Sequence, residues 1–75
     1  MKRERVDSSS VTSIGYDQDG ETLEVEFRNG GVYDYLDVPA DEVRRLRRAD
    51  SLGKYLNTRI KPRYPVRRVR PPSAE

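Results

Sequence analysis

Seven basic residues, Lys54, Arg59, Lys61, Arg63, Arg67, Arg68 and Arg70, fall between Ser51 and Ala74 without one acidic residue among them. A phosphate backbone selects such a composition, because each cation set on a phosphate releases a condensed counterion. Arginine adds a planar fork that grips phosphate bidentately, which lysine cannot do. Tyr55 and Tyr64 sit among these charges, and aromatic rings beside a basic groove are how single-stranded RNA is stacked. Asn57 follows Gly53 by four residues. Its amide can read a base edge or close a helix end, and glycine permits a close backbone approach. Each of these residues also has a structural explanation: tyrosines at the core or its rim with tethered hydroxyls, Asn57 as a cap, the charges as a solvated face.

Other chemistries find few residues to use. The chain has no Cys and no His, which removes thiolate nucleophiles and thiolate metal sites, the commonest metal ligand and the usual acid–base group near neutral pH. Asp17-x-Asp19-Gly20-Glu21 hints at a calcium loop but lacks the twelve-residue ligand pattern. Gly30-Gly31 reads as a hairpin and not as a phosphate-binding loop before a helix. Asp34 and Asp37 pair two carboxylates with no cleft evident around them. The expectation is a protein that is not an enzyme, with no cofactor and no metal.

The elements that must carry these residues are a short sheet and two helices. Val11 to Tyr16 is β-branched and aromatic and ends in the turn composition Asp17-Gln18-Asp19-Gly20. Thr22 to Arg28 alternates, so Leu23, Val25 and Phe27 share one face and Glu24, Glu26 and Arg28 the other. After Asn29-Gly30-Gly31 the chain returns as Val32 to Leu36. A loop through Gly31 pairs Phe27 with Tyr33 and Val25 with Tyr35 and turns Asp34 outward. The shorter Asn29-Gly30 loop would sink Asp34 into the core, the costlier choice. Tyr33 and Tyr35 therefore point inward and not to a base-stacking face. Past Val38-Pro39, Asp41 and Glu42 suit a helix start, Val43, Leu46 and Ala49 mark its inner stripe, and four arginines spread over its flank. Ser51 caps a second helix, Leu52 to Ile60, with Leu52, Tyr55, Leu56 and Ile60 buried and Pro62 beyond it. The fold class is α+β, a three-stranded antiparallel β-meander followed by two short helices packed on one sheet face.

Seventy-five residues allow one domain with a small core. Residues 1–6 read as a flexible N-terminus, 7–66 as the domain, and 67–75 as a basic, proline-containing disordered tail. Net charge is +2, yet Asp7 to Glu42 holds ten acidic residues and one basic residue, while Val43 to Arg70 holds eleven basic residues and one acidic residue. Such asymmetry points to a polyanion-facing half. No apolar run supports a signal peptide or a spanning helix, so the expectation is a cytoplasmic protein with no membrane partner.

Ordered along the chain are Ser8-Ser9, Ile14-Gly15-Tyr16-Asp17, Leu23-x-Val25-x-Phe27, Gly30, Tyr33-x-Tyr35 and Val38-Pro39. Then come Ala49-x-Ser51-x-Gly53-x-Tyr55-x-Asn57-x-x-Ile60 and Tyr64. Over Val6 to about Val66 this set resembles the KTSC domain family, a module found at the C-terminus of some lysyl-tRNA synthetases and as a free-standing protein. Leu56 stands where that pattern more often has an aromatic residue. The resemblance implies no catalytic residues, and through the synthetase fusion it implies RNA as a partner.

Two expectations of function follow. The first is a non-catalytic RNA-binding module for tRNA or single strands, using Lys54, Tyr55, Asn57, Arg59, Lys61, Arg63, Tyr64, Arg67 and Arg68. The second is a protein–protein adaptor, or a nucleic-acid mimic, built on the acidic half.

Overall fold

Alternation in the middle of the chain produces the sheet, and the computed structural model describes it within residues 3–72. Strand β1 spans Arg3–Arg5, β2 Val11–Asp17, β3 Thr22–Phe27, β4 Val32–Tyr35 and β5 Val66–Arg70. They form one antiparallel sheet in the order β1-β2-β3-β4-β5. The expected meander is therefore its centre. A charged strand is added at each edge, so the sheet has five strands and not three.

The β3–β4 hairpin keeps the expected faces in a shifted register. Val25 pairs with Tyr33 and Leu23 with Tyr35, with Glu24 opposite Asp34. Gly30 donates to the Phe27 carbonyl at 3.0 Å and Phe27 N–H to the Gly31 carbonyl at 2.8 Å, with Gly30 at φ 90°. The loop is thus Arg28-Asn29-Gly30, one residue earlier than expected, closed by the glycine that tolerates the left-handed conformation. A two-residue slip preserves side-chain direction, so Tyr33 and Tyr35 still face inward.

Helix α1, Ala40–Arg48, has Asp41 and Glu42 in its first turn and Arg45, Arg47 and Arg48 in its last, which suits the helix dipole at both ends. Ser51 caps α2, Leu52–Tyr55, by accepting from Lys54 N–H at 3.2 Å. Helix α2 runs on into a π turn, Leu56–Ile60, closed by Lys61 N–H to the Leu56 carbonyl at 2.8 Å. The Thr58 hydroxyl donates to the Lys54 carbonyl at 2.8 Å, a back-bond that competes with regular winding. Leu56 and Ile60 are fully buried with Val43 and Leu46 against Ile14, Leu23 and Val25. Both helices lie on one face of the sheet.

The opposite face is a polar ladder with an acidic centre and basic edges. Register puts Glu24, Glu26 and Asp34 in its middle, Arg3 on β1, and Arg67 and Arg70 on β5. Arg67 donates to Asp34 Oδ2 at 2.8 Å, Arg70 to Glu26 at 3.1 Å and to the Gly30 carbonyl at 2.9 Å, and Arg3 stands 3.8 Å from Glu24. Asp34 is only 5% exposed. Burial raises the Glu24 pKa and a hydrogen bond with Asp34 raises it further. Asp34 Oδ1 is buried without a hydrogen-bond partner among the described residues. Glu26 is shifted down, first by the Ser13 hydroxyl that donates to it at 2.9 Å and then by Arg3 and Arg70.

These contacts correct the expected termini. Of the segment read as a flexible N-terminus, Arg3–Arg5 is strand β1. Of the segment read as a disordered tail, Arg67 to Arg70 lies in β5. Met1, Lys2 and residues 73–75 lie outside the described residues. Charge suits both edges, since it discourages further strand pairing.

Candidate functional site

The basic residues of the second half divide between two surfaces. Arg67 and Arg70 are bound on the sheet's polar face. Arg44 pairs with Asp41 and Arg47 with Glu4. Lys54, Arg59, Arg63 and Arg68 are exposed, and among the described residues no carboxylate lies within 4.0 Å of them or of Arg45, Arg48 and Lys61. These unpaired cations belong to α1, α2, the π turn, the turn after it and the inward-facing side of β5, where Arg68 pairs with Tyr33.

Tyr55 and Tyr64 do not present open stacking faces with free hydroxyls. Glu42, only 4% exposed, accepts from Tyr55 at 2.6 Å and from Tyr64 at 3.2 Å. Both rings pack against the core. Burial raises both tyrosine pKa values, and the Glu42 carboxylate raises them further. Arg45, Arg59 and Arg63 oppose part of that shift, Arg59 at Tyr55, Arg63 at Tyr64 and Arg45 at both. The arrangement ties α1 to α2 and to the turn at Tyr64, beneath a rim of arginines.

A groove runs beside this cluster, between the β3–β4 hairpin and the end of the π turn. One cavity, of about 420 Å³, is lined by Phe27, Asn29, Tyr33, Tyr35, Lys61 and Val66. A second, of about 360 Å³, shares Phe27, Asn29 and Lys61 with it and extends past Ser10, Gly53 and Asn57. The Lys61 ammonium stands 5.3 Å from the centre of the Phe27 ring, a cation–π distance. Tyr33 meets Phe27 edge-on at 5.7 Å. Asn29 Oδ1 accepts from Gly31 N–H at 2.9 Å, which leaves its amide NH2 as the donor on the lining. A Cβ on Gly53 would come within 3.0 Å of Ser10 Oγ and 3.2 Å of Ser10 Cβ. Gly53 therefore packs tightly against the Ser10 side chain before β2.

Of the residues singled out from sequence, Asn57 and Lys61 meet in this groove. Tyr55, Tyr64, Arg59 and Arg63 gather about Glu42. Arg67 is held on the other face of the sheet. Phe27, Asn29 and Tyr33 line the groove without having been picked out as site residues.

The family model for the KTSC domain matches residues 7–64. The chain belongs to the KTSC domain family. A crystal structure of a KTSC domain protein from Yersinia pestis superposes with a TM-score of 0.87 at 38% identity, covering 91% of this chain and 96% of that one. An uncharacterised protein of Stutzerimonas stutzeri is 47% identical over 64 residues, 85% of this chain and 90% of that protein. A lysine–tRNA ligase of Nostoc punctiforme is 34% identical over 58 residues, which are 77% of this chain and 10% of the ligase. In that ligase the KTSC-like part is thus a small portion of a much longer enzyme. No helix of the described KTSC domain is long and apolar enough to cross a membrane.

Proposed function

We propose that this KTSC domain is a non-catalytic RNA-binding module of the cytoplasm, and that it contacts tRNA or single-stranded RNA through its helical layer. The observation that carries the reading is the sorting of its cations. Arg3, Arg67 and Arg70 on the edge strands stand at ion-pair distance from Glu24, Asp34 and Glu26, while Lys54, Arg59, Lys61, Arg63 and Arg68 have no carboxylate at that distance among the described residues. Solvated, unpaired cations on the helical side of the sheet are available to displace counterions from phosphate. The likeness to part of a lysine–tRNA ligase supports RNA as the polyanion. A protein partner that recognises the acidic half is less well supported, because arginines of β1 and β5 stand over those carboxylates.

Titration with tRNA and with oligoadenylate across a salt series tests the proposal. Five or six phosphate contacts give a log–log slope of roughly −4 on single strands. Absence of binding by micromolar protein at low salt would refute it. Pull-down from lysate with and without nuclease separates RNA-bridged partners, which nuclease removes, from direct protein partners.

A further inference from the structure

We infer that the groove between the β3–β4 hairpin and the π turn is a pocket for one unpaired nucleotide, whose base lies against Tyr33 and whose phosphate meets Lys61. The inference rests on the RNA-binding reading and adds to it a place and a chemistry.

Three observations converge on this occupant. The first is the shape and lining of the larger cavity. At about 420 Å³ it falls within the range of small-molecule pockets. Its walls are aromatic, with Phe27 and Tyr33 only partly buried while Leu23, Val25 and Tyr35 on the same sheet face are buried. Lys61 occupies the cation–π position over Phe27, so Tyr33 is the ring left to stack on a base. Such stacking accepts any base, because every base has a π-face.

The second observation is the polar complement. Asn29 has its carbonyl oxygen committed to Gly31 and its amide donor uncommitted, which suits the ring-nitrogen and carbonyl acceptors of a base edge. The third is charge. Lys61 lies where the two cavities meet, with Arg68 across from Tyr33 on the same side of the sheet. No carboxylate appears in either lining. An apolar ligand would leave these cations unused, and an acidic peptide would have no use for the ring of Tyr33. A nucleotide engages both.

The test compares two probes of equal length and charge, oligoadenylate and an abasic oligonucleotide, titrated into the full chain at low salt. Stacking worth about 1–3 kcal/mol per base predicts oligoadenylate binding roughly 5- to 140-fold tighter. Tyr33→Leu should draw that ratio toward one, while Lys61→Gln should weaken both probes. Phe27 is the one phenylalanine of the chain, so its ring protons report the pocket in the unaltered protein. They should move upfield with oligoadenylate and not with the abasic strand. Equal affinity for both probes, with no Phe27 shift, overturns the pocket and leaves RNA binding standing. Failure of the protein to bind either probe overturns the RNA reading and the pocket with it.

Discussion

Replacing Arg67 by Met keeps a long apolar stem on β5 and removes the guanidinium. Asp34 then stays covered by β5 without its cation. Its side chain is 7% exposed, and its Oδ2 accepts from Arg67 at 2.8 Å. A hydrogen bond to a charged group contributes about 1.5–3 kcal/mol. Arg67 is itself 65% exposed, and solvent screening of that half of the pair lowers the expected loss to about 1–2 kcal/mol. For a chain of this length, total stability is of the order of 4–11 kcal/mol. The control is Arg44→Met. Arg44 and Asp41 are 62% and 66% exposed, and such pairs contribute about 0–0.5 kcal/mol. Urea unfolding followed by circular dichroism gives both values as midpoint shifts at constant slope. Adding Asp34→Asn to Arg67→Met should recover part of the loss, because it removes the buried charge. Equal midpoints for Arg67→Met and Arg44→Met would refute the role assigned to β5.

Other outcomes follow from the same geometry. Glu42→Leu should cost about 2–4 kcal/mol by urea unfolding, because it leaves the Tyr55 and Tyr64 hydroxyls without their acceptor. Gly53→Ala should destabilise despite the helix propensity it gains, as the new Cβ meets Ser10, and adding Ser10→Gly should reverse the effect. Burial and Glu42 raise Tyr55 and Tyr64 above the ordinary tyrosine value of 10.0. The folded chain therefore holds protons that the unfolded chain releases, so this stability is full below about pH 10 and is lost as pH rises through the folded values. A urea midpoint unchanged from neutral pH to about pH 11 would contradict that linkage.

The central strands and both helices were legible because their signals are local. Leu23, Val25 and Phe27 alternate, Ser51 caps, and Val43 with Leu46 marks an inner stripe. Facing was legible where register was not. Asp34 had to turn outward whichever odd-numbered loop closed the hairpin, but Gly30 and Gly31 in a row drew the expected loop one residue later than the observed Arg28-Asn29-Gly30. The edge strands were not legible. Arg-Glu-Arg and Val-Arg-Arg-Val-Arg carry no apolar face, and what holds them is carboxylates on β3 and β4, distant in sequence. That same pairing explains much of the charge split between the two halves, since part of the basic half neutralises part of the acidic one. Glu42 was read as complementing the helix dipole. Its place one turn before Leu46 on the inner stripe was the signal that it also points inward, toward Tyr55 and Tyr64. Phe27 and Tyr33 were assigned to the core by their face, and only the extent of the helices shows that this end of the face stays partly open.

RNA meets the unpaired cations on the helical side of the sheet, and not Arg67 and Arg70, which are bound on its polar face. The most direct measurement is the salt dependence of oligoadenylate binding for two variants beside the unaltered protein. One carries Lys54→Gln, Arg59→Gln and Arg63→Gln, and the other Arg67→Gln and Arg70→Gln, both assayed where they remain folded. The first should lose affinity, with a slope shallower by roughly 2, about 0.7 for each phosphate contact removed. The second should keep nearly the full slope, because Arg67 and Arg70 are held by Asp34 and Glu26. A slope lost with Arg67 and Arg70 and retained without Lys54, Arg59 and Arg63 would place the RNA contact on the polar face of the sheet instead.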